Sequence, residues 1–245
     1  MIRSITAVIV AAILGFGAGP AVAATHAPPV PDGAPRTRSS SGSGSGVLGP
    51  YAGNPVVAVD ACSSGRPGRR VSIIGDSITV RSFDQTVRRL AAVGADVCAN
   101  AQAARPTAPS VDALLVPPMV DADVWVVATG SNDIFDPAAF PAQVARVLHA
   151  AQGRPVVWVN VFVHRWRVSA AMRVADLRNS RRLNAVLARA AESHPNLTIV
   201  DWSGYLTAGP SRERAYLVDG VHPNDGGQRV RAILVAAAVA PRLAA

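Results

Sequence analysis

The chain has 245 residues, of which 49% are apolar and 16% charged, and its formal net charge of +8 is carried by arginine, since the sequence contains no lysine. The arginines are dispersed, with no basic run interleaved with aromatics. This argues against nucleic acid as a partner and for an anionic envelope polymer or membrane surface. The first 23 residues, "MIRSITAVIVAAILGFGAGPAVA", place Arg3 before an uncharged apolar run and end in Ala21-Val22-Ala23. That is the pattern of a secretory signal peptide cut after Ala23. The competing reading, a membrane anchor, wants about 20 consecutive apolar residues, and this run is short and broken by glycine.

From residue 24 the chain is first Pro-rich and then Ser/Gly-rich, "THAPPVPDGAPRTRSSSGSGSGVLGP". It lacks the apolar material needed to offset its ordering entropy, so we read 24–68 as a flexible tether. Residues 69–245 then have the size of one domain. The chain's two cysteines, Cys62 and Cys98, form an even, small count in a chain read as exported. They predict one disulfide between the start of the domain and its sheet, with free thiols as the alternative.

Past residue 68, apolar runs alternate with helical segments. "VSIIG", "ADVCA", "VWVVATG", "PVVWVNVFV" and "LTIVDW" are nearly continuous in apolar residues, as strands covered on both faces should be. Between and after them, "FDQTVRRLAAVG", "AAFPAQVARVLHAAQG", "ADLRNSRRLNAVLARAAESH" and "GGQRVRAILVAAAVAPRLAA" place apolar residues three and four apart. The alternation predicts an α/β fold, a parallel five-stranded sheet with helices on both faces. Ligands bind such sheets beyond the carboxyl ends of the strands.

Those ends carry the polar residues. The first strand leaves through Gly75-Asp76-Ser77, the second through "NAQAARPT", the third through "TGSND" with Asn132, and the fourth through "VHRW". "LVDGVHPNDGG", with Asp219 and His222, comes after the last strand. Taken alone, Asp76 or Ser77 is an ordinary helix cap, Asp-x-x-His a surface turn, and Ser-Asn-Asp capping chemistry. Taken together they supply a hydroxyl, a base to take its proton, a carboxylate to orient that base, and an amide for developing negative charge. Arg165, Trp166 and Arg167 line an acceptor groove or merely cap a strand end, and Trp202 reads as core.

In this order the Gly-Asp-Ser, Gly-x-Asn-Asp and Asp-x-x-His elements resemble the SGNH (GDSL-type) hydrolase family over most of residues 69–230. The resemblance implies a flavodoxin-like three-layer α/β/α sandwich and acyl-ester chemistry with no metal or cofactor. It implies Ser77 as nucleophile, His222 as base, Asp219 as its partner, and the Ser77 N–H and Asn132 amide as oxyanion donors. The family usually supplies a third donor from a glycine in its second block. "NAQAARPT" has none, and Ala104 is the best match, with Ala103 close behind. The second half further resembles the extracellular SGNH domain fused to membrane acyltransferases that O-acetylate peptidoglycan or other envelope glycans. With the signal pattern, the resemblance implies a secreted carbohydrate-ester hydrolase or O-acetyltransferase, taking acetyl from a separate membrane protein or giving it to water; a monomer is expected, though no residue pattern speaks to oligomeric state. The alternatives are a lipase or lysophospholipase and a catalytically silent envelope-binding module.

Overall fold

Strands that are apolar on both faces have to be covered on both, and the computed structural model, which describes residues 51–243, shows how. The signal-peptide reading and the tether up to residue 50 lie outside the described residues. Six strands, β1 (Val56–Asp60), β2 (Arg70–Gly75), β3 (Asp96–Gln102), β4 (Val124–Ala128), β5 (Val156–Val159) and β6 (Leu197–Val200), form one sheet. Their order is β1-β3-β2-β4-β5-β6. β2 to β6 run parallel. β1 is antiparallel to β3, with Val56 opposite Gln102 and Asp60 opposite Cys98.

The helices are α1 (Ser77–Arg81), α2 (Phe83–Ala92), α3 (Thr107–Leu114), α4 (Phe140–Ala151), α5 (Ala170–Ser193), α6 (Trp202–Thr207), α7 (Arg212–Tyr216) and α8 (Asp225–Val239). Successive strand residues point to opposite faces, and the two cores divide accordingly. Val71, Ile73, Val124 and Val126 pack with Leu90 of α2 and with Val235 and Val239 of α8. Ile74, Trp125, Val127 and Trp158 pack with Val111 of α3, Phe140 and Val144 of α4, and Leu183 and Leu187 of α5. The result is a three-layer α/β/α sandwich. Each such side chain contributes about 1.5–3 kcal/mol on full burial, so both layers are held to the sheet.

The sheet has six strands where the apolar runs predict five. The additional one, β1, lies in the stretch assigned to the tether, so the folded part begins well before residue 69. The physical reason is that β1 is an edge strand. Its residues alternate between exposed and half-buried, and Val56 is half exposed, so it needs no long apolar run. What holds it is the ladder to β3 and the Cys62–Cys98 disulfide just beyond it (Cα–Cα 5.0 Å). The predicted pairing is therefore present, and it ties the chain's approach to the sheet.

β2 has β3 on one side and β4 on the other, so successive crossovers from β2 and β3 leave in opposite directions. Such a reversal opens a crevice at the strands' carboxyl ends, and Gly75-Asp76-Ser77 emerges there.

The disulfide closes a 36-residue separation, for which chain entropy predicts about 3–4 kcal/mol of stabilisation. Cys62→Ser/Cys98→Ser is expected to lose that amount in urea unfolding. A loss below about 1 kcal/mol would show that the β1–β3 ladder holds the edge unaided.

Candidate active site

Everything at the carboxyl end of the sheet is arranged around the turn after β2. Gly75 is required there because helix α1 folds straight back: a Cβ on residue 75 would lie 2.2 Å from the Cβ of Thr79. Asp76 caps α1, its Oδ1 accepting the Ile78 N–H (3.0 Å). Its Oδ2 accepts the Ser131 hydroxyl (2.6 Å). Asp76 is only 1% exposed. With both oxygens of Asp76 engaged, Ser77 begins the helix with its hydroxyl turned toward the loop that carries His222.

That loop brings the base. His222 Nε2 lies 3.0 Å from Ser77 Oγ, and His222 Nδ1 lies 2.8 Å from Asp219 Oδ2. This pairing makes Nδ1 the protonated nitrogen and leaves the Nε2 lone pair to accept the serine hydroxyl. Asp219 Oδ1 also accepts the N–H groups of Val221 (2.9 Å) and His222 (2.8 Å), so the turn folds around its own carboxylate. Burial works against the charge of Asp219, but the bonds from the His222 ring and from these N–H groups outweigh it, and the carboxyl is lowered from 3.8 to about 2.

The turn is docked from outside by the segment after β5. His164 N–H donates to Gly220 O (2.9 Å) and Trp166 N–H to Asp219 O (3.0 Å). Gly220 has a φ of +89°, and a Cβ there would lie 1.9 Å from the His164 carbonyl oxygen, a backbone atom that cannot move aside. Only glycine fits. Glu213 of α7 holds the same segment by its side chains, accepting from the Trp166 indole and pairing with His164 Nδ1 (3.0 Å). Arg165 is not free for a ligand. It pairs with the buried Asp176 carboxylate (2.8 Å) and lies over the Phe135 ring. Trp202 is buried, as its sequence context predicts.

The two remaining strand ends are joined to each other. Asn132 Nδ2 donates to Arg105 O (3.3 Å). Asp133 accepts both the N–H (3.0 Å) and the hydroxyl (2.8 Å) of Thr107, the first residue of α3. Burial raises the pKa of Asp133 against those bonds. Ala104 has a φ of +61°, a left-handed conformation that costs an L-residue about 1–2 kcal/mol. It is the backbone shape a glycine adopts freely, which explains why the resemblance leads one to look for glycine there. Ser77, Asp219 and His222 are thus in hydrogen-bonding contact. Asn132 and the turn around Ala104 form a second group, joined to the first through Ser131–Asp76 and through the Arg105 guanidinium, which donates to Gly75 O (3.1 Å).

Two buried arginines escape the sequence reading. Arg105 is 4% exposed, donating also to the Asn100 side chain and to Ser110; burial lowers its pKa, while Asp76 acts in the opposite sense. Arg231 is 2% exposed and donates to Ser82 and Thr79 from the other side of the turn. Burial lowers it to about 10, opposed by the charge of Asp76. A signal for Arg231 was available. It falls with Gly227, Val235 and Val239 at four-residue spacing on the buried stripe of α8, where a solvated charge has no place.

A serine, an imidazole and a carboxylate so connected, beside an amide and a glycine-like turn, form an arrangement able to carry out ester chemistry. In sequence the chain matches the GDSL-like lipase/acylhydrolase family over residues 73–230 and belongs to it. No curated protein matches the chain in sequence. Among solved structures it is similar to a lipase/acylhydrolase from Enterococcus faecalis, with 20% identity over 72% of this chain and 97% of that one and a TM-score of 0.61. A GDSL-like lipase from Bacteroides thetaiotaomicron gives 15% identity over 74% and 94%, with a TM-score of 0.59. A catalytic mutant of the acetylxylan esterase Axe2 from Geobacillus stearothermophilus gives 15% over 71% and 94%, with a TM-score of 0.52. These likenesses establish the SGNH hydrolase fold.

Replacing Ala104 by glycine removes the left-handed penalty at the cost of some unfolded-chain entropy. It is expected to raise unfolding stability by about 0.5–1 kcal/mol; an unchanged or lower urea midpoint would mean that the turn is not strained.

Because the folded-state pKa of Asp219 is depressed, its contribution to stability is present above 3.8 and is lost as pH falls through about 2. Asp219→Asn should therefore flatten the fall in thermal midpoint between pH 4 and pH 2. The effect should be small, because the carboxylate is 42% exposed and screened.

Proposed function

We propose that the protein is a secreted serine-dependent carbohydrate-ester hydrolase or O-acetyltransferase that works through an acyl-enzyme. The observation that carries this reading is the continuous contact from Ser77 Oγ to His222 Nε2 (3.0 Å) and from His222 Nδ1 to Asp219 Oδ2 (2.8 Å). His222 takes the Ser77 proton as Oγ attacks the ester carbonyl. Negative charge develops on the carbonyl oxygen and is met by the N–H groups of Ser77 and Ala104 and by the Asn132 amide. His222 then gives the proton to the departing alcohol, leaving the acyl group on Ser77. A second alcohol or water, deprotonated by His222, attacks that acyl group, and the proton returns to Ser77. Asp219, charged throughout, stabilises the imidazolium at each stage.

The choice of acetyl over the long chains of a lipase is supported by the likeness to the acetylxylan esterase Axe2. Export is supported by the Cys62–Cys98 disulfide, since such bonds persist in oxidising compartments, and by the signal pattern of residues 1–23. If transfer is the natural reaction, the proposed source of the acetyl group is a membrane acyl donor.

Ser77→Ala should abolish labelling by a fluorophosphonate and lower p-nitrophenyl acetate turnover by about 10⁴-fold or more. Asn132→Ala should keep the labelling site but lose about 10²–10³ in kcat. Equal labelling of wild type and Ser77→Ala would overturn the assignment. Incubation with an acetyl donor and chito-oligosaccharide distinguishes the two outcomes: acetylated sugar by mass spectrometry means transfer, free acetate alone means hydrolysis.

A further inference from the structure

The residue one helical turn beyond Ser77 is an arginine, and the proposed mechanism leaves it without a part. Ser77 and Arg81 stand at i and i+4 on α1, so they share a face, with their Cβ atoms about 5–6 Å apart. Arg81 is exposed. Its Nε donates to the carbonyl oxygen of Pro223 (2.9 Å), the residue directly after His222. One side chain thus neighbours the hydroxyl along the helix and is fixed to the strand of chain that carries the imidazole.

That anchorage uses only Nε. A guanidinium has five N–H donors in a planar fork, and among the described residues no carboxylate pairs with Arg81. Asp76 is committed to Ile78 and Ser131, Asp219 to His222, and Glu213 to His164 and Trp166, and the exposed Asp84 and Asp225 form no ion pair with Arg81. A guanidinium anchored by one nitrogen, with its remaining donors unbonded to the described residues, suits a planar anion, carboxylate or phosphate, which it binds in bidentate fashion.

The position also says which part of the ester is charged. His222 delivers its proton to the departing oxygen, so the alcohol portion leaves on the imidazole side, whereas the carbonyl oxygen faces Asn132 and the Ala104 turn. Arg81 is attached on the imidazole side. Resting on the acyl-enzyme mechanism, we propose that Arg81 is a specificity-determining residue that selects esters whose alcohol portion carries an anionic group, such as an acidic sugar unit or a sugar phosphate.

The test compares three acetyl or acyl esters in wild type, Arg81→Gln and Arg81→Lys: phenyl acetate, 4-acetoxybenzoate with a negative alcohol portion, and p-nitrophenyl hemisuccinate with a negative acyl portion. The quantity read is kcat/KM relative to phenyl acetate. Arg81→Gln is expected to lower the 4-acetoxybenzoate ratio about 10–100-fold, mostly through KM, with Arg81→Lys falling between. The wild-type ratio should itself decline as salt is raised. An unchanged ratio in Arg81→Gln overturns the proposal, and a loss confined to the hemisuccinate overturns the placement on the alcohol side. Failure of all three esters in wild type would instead contradict the acyl-enzyme mechanism, so the two failures are distinguishable.

Discussion

The site depends on burying one carboxylate. Asp76 sits at the end of the central strand with 1% of its surface exposed, and an ion in such a place is stable only if its oxygens are bonded and opposite charges lie near. Both conditions are met by parts of the chain far apart in sequence. The α1 backbone satisfies one oxygen and Ser131 the other, while Arg105 and Arg231, brought from β3's end and from α8, supply the positive field. Satisfying this one group therefore fixes four elements relative to Ser77. The Asp of Gly-Asp-Ser is the tie between the Ser77 turn and the Asn132 loop, more than a helix cap.

The Asp219–His222 turn is held by a different principle. It is partly exposed, and its internal order comes from a carboxylate wrapped by the N–H groups of its own turn. Its position comes from main-chain bonds to His164 and Trp166, which the left-handed Gly220 allows by bringing the backbones close. The proposed nucleophile is thus fixed by buried charge and the proposed base by backbone docking. An imidazole that must accept and return a proton is better placed near solvent than in the apolar interior, where burial would disfavour its charged form.

Legibility in the sequence divides along the same line. The apolar runs locate β2 to β6 because strands covered on both faces carry a strong local signal, and α2, α4, α5 and α8 declare themselves by periodicity. β1, α6 and α7 are missed, and α1 is signalled only by its cap. They are short or, like β1, sit at an edge, and their stability comes from tertiary partners that no local window contains. The hydroxyl, imidazole and carboxylate were legible because their chemistry names them. Arg105, Arg231, Glu213 and Ser131 were not, because each acts by meeting a partner from a remote segment. Ala104 stands between these cases: its place was inferred from a missing glycine, and its left-handed φ shows the same local demand met by a costlier residue.

The tolerance of alanine at that position bears on how the pieces cooperate. A strained turn persists only when its surroundings over-determine it, and here they do: the Arg105 side chain grips Gly75, Asn100 and Ser110, Asn132 holds the Arg105 carbonyl, and Asp133 seizes the first residue of α3. The strain of about 1–2 kcal/mol is spread over a network that the sheet already rigidifies. Arg81, by contrast, is held by one carbonyl at the rim. Its remaining donors change neither the packing of the sheet nor the contact between Ser77 and His222. Selectivity at such a position can therefore vary without disturbing the chemistry behind it, which is what an exposed rim on a rigid α/β scaffold permits.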